Sequence, residues 1–182
     1  ALELPMGVKR LEREEISRSG AGSVPEVLER MAGIRFIGTT GNGTTGQVAM
    51  RGFGDNSGLR VLVIVDGQIY NPPDMGGINW QGIDLDELET VEVLRGGQTV
   101  LYGNHAVAGV IKLTSRKIGE GQGGRLLVGT GSDGLKSIRA SAGGKTTFGG
   151  IRGGGSWMES DGYRDHASIQ ARSGFLSWSN GE

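Results

Sequence analysis

Hydrophobic positions in the first part of the chain follow two different periods. Val24, Val27, Leu28 and Met31 recur at the spacing that places them on one face of a helix. Ser23 can cap the free backbone N–H groups, Pro25 suits the first turn, Glu26 completes a capping box and Gly33 can supply a left-handed stop, so a helix over residues 24–31 is predicted. Residues 33–37, 47–51 and 60–65 read as strands, and Val61–Val65 is apolar at successive positions, the pattern of a strand buried on both faces. Asp66-Gly67 follows it with a strong tight-turn signal. Residues 84–87 resemble a capped helical turn, residues 91–94 return to strand, Thr99–Tyr102 fits one helical turn closed by Gly103, and residues 107–114 are again strand-like. This part predicts a small mixed α/β body.

Near residue 118 the texture changes. Residues 125–129, 135–142, 147–158 and 168–178 are strand-length runs separated by turn-rich stretches, with Asp133-Gly134 and Asp161-Gly162 as turn signals. In the second run Ile138, Ala140 and Ala142 face one way while Ser137, Arg139 and Ser141 face the other. That is the two-residue period of a membrane barrel wall, apolar outside and polar inside. A soluble antiparallel sheet alternates in the same way, and periodicity alone favours it. We therefore divide the chain into residues 1–118 and 119–182.

Composition narrows the function classes. Glycine accounts for 36 of 182 residues against 4 prolines, without a repeating period or tract, which argues against collagen and simple disorder. The net charge is −1, with 19 basic and 20 acidic residues intermixed, so nucleic acid has no electrostatic footprint to bind. Cysteine is absent, which excludes disulfides and thiolate chemistry. The longest apolar run is the strand-length segment Val61–Val65, far short of the ~20 residues of a spanning helix. Residues 1–5 show neither the basic start nor the apolar core of an export signal.

Three motifs hint at other chemistry. The segment GNGTTG at residues 41–46 is a literal G-x-G-x-x-G, but strand-like residues follow it where a dinucleotide site needs a helix N-terminus. Asp84, Asp86, Glu87 and Glu89 lack the glycine-bearing spacing of a calcium loop and read as a solvated face. His105 and His166 have no partner at a catalytic spacing. No enzyme signature, cofactor site or metal site is read from these residues.

The ordered motifs carry a resemblance. SVPEVLERMAGI (residues 23–34), VAMRGFG (48–54), VLVIVDG (61–67), residues 83–96 ending in VEVLRG, and LYGNHAVAGVI (101–111) resemble, in order, the plug domain of TonB-dependent outer-membrane receptors. The motif residues include Arg51, Gly52, Asp66, Gly67, Arg95, Gly96, Tyr102 and Gly103. Residues 119–182, with SDGYRD at 160–165, are similar to the barrel strands that follow such a plug. The implied fold class is α+β: a small mixed plug with a central sheet and short helices, then antiparallel strands of an incomplete transmembrane β-barrel. Gly97 replaces the usual proline, and Ala108 the first glycine of a usual pair. About four strands fit after the boundary where plugged transporters need about 22, so the expectation is a piece of a longer receptor.

The resemblance implies binding and gating in the bacterial outer membrane. The implied partners are the protein's own barrel, the TonB energy-coupling protein and a scarce nutrient or metal chelate such as a siderophore, cobalamin or haem. Arg51 and Arg95 match plug arginines that latch onto barrel glutamates, a role suited to a planar, permanently charged fork; an ordinary surface ion pair is the plainer reading. Two loops, residues 38–46 and 70–80, are the expected ligand contacts through Thr39, Thr40, Asn42, Thr44, Asn71 and Asn79, with Trp80 for stacking. Residues 1–10 look like the plug's first strand, so the TonB box is expected to be missing. The competing class is a soluble glycine-rich β binding or adhesion module.

Overall fold

The computed structural model describes residues 7–39, 44–52, 60–73, 77–103, 105–116, 123–147, 149–162, 166 and 168–179. Val8–Glu12 forms β1, and Arg13–Arg18 forms α1, opened by a capping box in which the Glu15 carboxylate accepts the Glu12 N–H at 3.0 Å. Val24–Ala32 is α2. Its start follows the sequence: Ser23 Oγ accepts the Glu26 N–H at 3.5 Å and the Glu26 carboxylate accepts the Gly22 N–H at 2.6 Å. Gly33 ends it at φ +59, and Val24, Val27, Leu28 and Ala32 form its buried stripe.

Arg35–Gly38 (β2) pairs antiparallel with Thr45–Ala49 (β3). The strand predicted over residues 47–51 is thus shifted, because Arg51 at φ +54 and Gly52 at φ +76 take the chain out of extended geometry. Val61–Val65 (β4) turns through Asp66 at φ +49 and Gly67 at φ +83 into Gln68–Ile69 (β5), the two-residue turn that matches strand twist. Ile78–Asn79 (β6) pairs with β3; single 3-10 turns follow at Trp80–Gly82 and Leu85–Glu87. Leu88–Arg95 (β7), Thr99–Tyr102 (α3) and Gly109–Ser115 (β8) complete the unit.

The central sheet runs β1-β7-β8-β4-β5, with β4 and β8 parallel and the other neighbours antiparallel; β2-β3-β6 is separate. Burial of β4 on both faces is as its sequence predicts. Val61 and Val63 join Val27, Leu28, Val91, Val93, Ile111 and Leu113 in the main core, while Leu62 and Ile64 pack with Ala106 and Val110 on the other side. Beyond β5 the edge of β4 is completed by a side chain. Asn71 accepts the Val63 N–H at 2.7 Å and donates to the Val61 carbonyl at 3.0 Å, doing for two backbone groups what a neighbouring strand does. At the far end, the Asp66 carboxylate accepts the Ser115 N–H at 2.7 Å and so ties the turn to β8.

Among the described residues, those up to Ser115 form one compact unit and those from Arg116 another. The second is an antiparallel meander of Gly123–Thr130 (β9), Lys136–Thr146 (β10), Gly149–Ser160 (β11) and Ile169–Ser179 (β12), ordered β12-β11-β10-β9. The register gathers Leu126, Val128, Ile138, Ala140, Ile151, Trp157, Leu176 and Trp178 on one face, with Arg172 opposite Trp157. The opposite face carries Arg125, Arg139, Arg152, Ser137, Ser141, Ser156, Ser173 and Ser177, with Leu127, Met158 and Phe175 among them.

Two measurements test this packing. A Cβ on Gly109 would meet the Leu94 carbonyl and lie 2.7 Å from Met50 Sδ, whereas one on Gly123 meets nothing. Gly109→Ala should therefore lower the urea-unfolding free energy by about 1–3 kcal/mol, and Gly123→Ala should leave it near wild type. Asn71→Ala, which strips both β4 backbone groups of their partner, should cost about 1–3 kcal/mol in the same assay.

Candidate functional site

The two arginine-glycine motifs meet at one corner of the first unit. Arg51 is exposed and sits in the left-handed region. Its guanidinium lies over the open side of Gly96: Nη1, Cζ and Nη2 are 3.6, 3.7 and 3.7 Å from where a Cβ on that residue would stand. These near-equal distances place the group face-on to that point, which leaves its N–H edges turned aside. Gly96 itself has φ +104, a conformation strained for any side-chain-bearing residue. Among the described residues no carboxylate pairs with Arg51 or Arg95.

Arg95 is engaged differently. It is half-buried at the end of β7, its N–H donates to the Gly7 carbonyl at 2.8 Å, and its guanidinium donates to the Ala32 carbonyl. The Lys9 ammonium donates to the neighbouring Met31 carbonyl. Two cations thus meet the carboxyl end of α2, where the helix dipole is negative and the last carbonyls lack helical partners. An arginine has five donors, and among the described residues Nε and Nη1 of Arg95 carry no hydrogen bond. The Lys9 contact had no signal in the sequence, because a cation 22 residues from its acceptor belongs to no local pattern.

The remaining motif residues serve the turns and the second core. Tyr102 packs against the cluster around Leu62 and Val110, with the Lys112 ammonium 5.5 Å from its ring centroid. Gly103 closes α3 by donating its N–H to the Thr99 carbonyl at 2.9 Å. Gly52, Asp66 and Gly67 hold the positive-φ positions described above.

The structure brings the two expected contact loops together. Thr45 pairs with Asn79 and Gly46 with Ile78, so both loops border the β2-β3-β6 sheet. Thr39 is exposed, with Oγ1 donating to the Thr45 carbonyl at 3.2 Å; Asn79 is exposed, with Oδ1 accepting the Gln81 N–H at 3.1 Å. Thr44 is buried and its carbonyl accepts the Trp80 N–H at 3.1 Å. Thr40 and Asn42 lie outside the described residues.

Two of the expected contacts are corrected. Trp80 is 4% exposed in the main core, with Nε1 donating to the Gly46 carbonyl at 3.0 Å. Buried there, its ring offers no free face for stacking. Asn71 spends its amide on β4, because the short β5 leaves two backbone groups there to satisfy. Tyr70, absent from the expected contacts, links the same region by donating its hydroxyl to the Asn79 carbonyl at 3.3 Å.

Comparisons with known proteins agree with this architecture. The family model described as TonB-dependent Receptor Plug Domain matches residues 1–110. The chain is 35% identical over 131 residues to the vitamin B12 transporter BtuB of Vibrio vulnificus, covering 72% of this chain and 21% of that protein. It is 26% identical over 136 residues to the ferric enterobactin receptor of Pseudomonas aeruginosa, covering 67% and 18%. The unliganded crystal structure of the ferric citrate transporter FecA superposes with a TM-score of 0.70 at 22% identity, over 94% of this chain and 28% of that one, a likeness of fold. The chain spans about a fifth of the length of the curated relatives it matches. With the family model covering the greater part of its residues, the chain belongs to the TonB-dependent receptor plug domain family.

Proposed function

We propose that residues 1–118 are the plug, and residues 119–182 the first wall strands, of an outer-membrane receptor that takes up a scarce nutrient and is energised through TonB. The observation that carries this reading is the inverted exposure of the four-stranded sheet. Leu126 is 68% exposed, Val128 70%, Leu176 80% and Trp178 60%, while Ser137, Arg139 and Ser141 on the other face are half-buried. Water penalises such an arrangement, whereas a bilayer favours it. The apolar face runs between a row holding Trp157 and Arg172 and a row holding Trp178, about 20 Å apart at strand rise, and a polar row of Thr130, Lys136, Glu159 and Gln170 closes it beyond Trp157. Paired aromatic limits suit the two interfaces of a membrane. A soluble adhesion module would turn the same apolar face toward a core.

In this reading Arg51 and Arg95 latch the plug to carboxylates of the wall, and the ligand, a cobalamin, siderophore or haem, meets hydroxyls and amides of the two loops. Thr39 and Asn79, exposed beside β2-β3-β6, are candidate contacts together with Thr40, Asn42 and the buried Thr44; Trp80 and Asn71 serve the scaffold. The work is recognition and gating, without bond-breaking chemistry and without nucleic acid.

Expression of the receptor that contains this chain, in a Gram-negative host lacking its own cobalamin and siderophore receptors, should restore growth on limiting cyanocobalamin or a ferric siderophore, and only when TonB is present. Growth on neither, with the receptor assembled, would overturn the uptake reading. In that receptor Ala140→Arg, on the apolar face, should cost about 2–4 kcal/mol of membrane stability and reduce the amount recovered in the outer-membrane fraction, while Ser141→Arg should not; equal recovery would refute the assignment of faces. Arg95→Gln should destabilise this chain by about 0.5–2 kcal/mol through loss of the α2 contact, and Arg51→Gln should change it by less than about 0.5 kcal/mol, both read from thermal unfolding.

A further inference from the structure

Among the described residues strand β1 is the outermost strand of its sheet, paired with β7 alone, and of its own five residues only Leu11 is buried. Its amino end lies against the second arginine motif. Val8 stands opposite Leu94, and one step beyond, the Arg95 N–H donates to the Gly7 carbonyl at 2.8 Å. From this seam Lys9 reaches the Met31 carbonyl and Arg95 the Ala32 carbonyl, while the Arg51 guanidinium lies over Gly96. Three separate stretches of chain therefore converge around the dipeptide Arg95-Gly96.

We propose that Arg95 is a positioning residue that ties the amino-terminal strand to the latch, so that detaching β1 from its Gly7 end loosens the carboxyl end of α2 and the seat of Arg51 together. A strand peeled from its amino end loses the Gly7 bond first and the rest of the ladder in succession, never all at once. The first step strips the half-buried Arg95 N–H of its acceptor. The second withdraws Lys9, leaving Arg95 as the one cation of this pair on the end of α2. The use of this linkage rests on the receptor reading proposed above. The linkage itself is a property of this chain and is measured without transport.

The chain has no cysteine, so Val8→Cys with Leu94→Cys adds a single reducible bridge. Because Gly7 and Arg95 form a hydrogen-bonded pair, Val8 and Leu94 are the closer, non-hydrogen-bonded kind of antiparallel partners, which suits disulfide geometry. Amide hydrogen exchange on the full 182-residue chain compares the oxidised and reduced forms. Oxidation should slow exchange roughly tenfold or more at Arg95 and across residues 31–34 as well as in β1, leave Val63 and Ile111 unchanged, and be reversed by dithiothreitol. With Arg95→Gln added, the bridge should protect β1 but no longer residues 31–34. Protection confined to β1 when Arg95 is present would overturn the proposal. Lys9→Gln, an exposed substitution that leaves the core intact, gives a second reading: it should speed exchange at Arg95 and residues 31–34 together, and no change at either place would also overturn it. Failure of the receptor reading has a different signature, absence of TonB-dependent uptake with the exchange coupling intact.

Discussion

A strand that is apolar at every position has to be covered on both faces and hydrogen-bonded along both edges, and Val61–Val65 sets that requirement for the first unit. Covering one face takes the stripe of α2 with β7 and β8; covering the other takes Ala106, Val110 and Tyr102 from the β7–β8 connection and its flank. The parallel pairing of β4 with β8 means the chain must leave the sheet and return, and the segment between them supplies β6, both 3-10 turns, β7 and α3. The other edge is met by two-residue β5 and then by the amide of Asn71. The corner that carries Arg51 and Arg95 is where this wrapping closes: Gly109, beginning β8, lets Met50 and the Leu94 carbonyl approach closely.

What the sequence made legible was local. The cap at Ser23, the stop at Gly33 and the turn at Asp66-Gly67 depend on neighbours within six residues, and they lie where the pattern puts them. Two-sided burial of β4 was readable because five successive apolar residues have no solvent-facing alternative. The shift of β3 was hidden, since nothing near Arg51 announces a non-glycine residue in the left-handed region. Trp80 was misread for a related reason: an aromatic residue in a polar loop looks exposed until the chain folds back and offers the Gly46 carbonyl to its indole N–H. For the arginines only type and motif were legible beforehand. That one lies over a glycine while the other holds the end of a helix follows from contacts across 45 and 63 residues.

The second unit poses the opposite case. Its alternation was clear and its orientation was not, because a period of two says which residues share a face and nothing about which face meets solvent. Exposure separates the faces: Leu126, Val128, Ile138, Leu176 and Trp178 stand outward while Ser137, Arg139, Ser141, Arg152 and Ser177 are the more sheltered. Many of the chain's glycines fall in these strands, and several, such as Gly143 beside Arg152 and Gly154 beside Phe175, leave room for a large neighbour on the adjacent strand. Small and bulky residues thus alternate across the ladder, and the glycine excess reads as a packing device.

In that meander β9 and β12 each have a pairing partner on one side only among the described residues. Each hairpin added to such an edge satisfies one row of backbone groups and presents another, so growth by whole hairpins never completes itself. The size at which a wall of this kind stops is then a property of closure, through strand tilt and stagger, rather than of any single strand's sequence. These four strands would fit equally well, as far as their own pairing goes, into enclosures of several diameters.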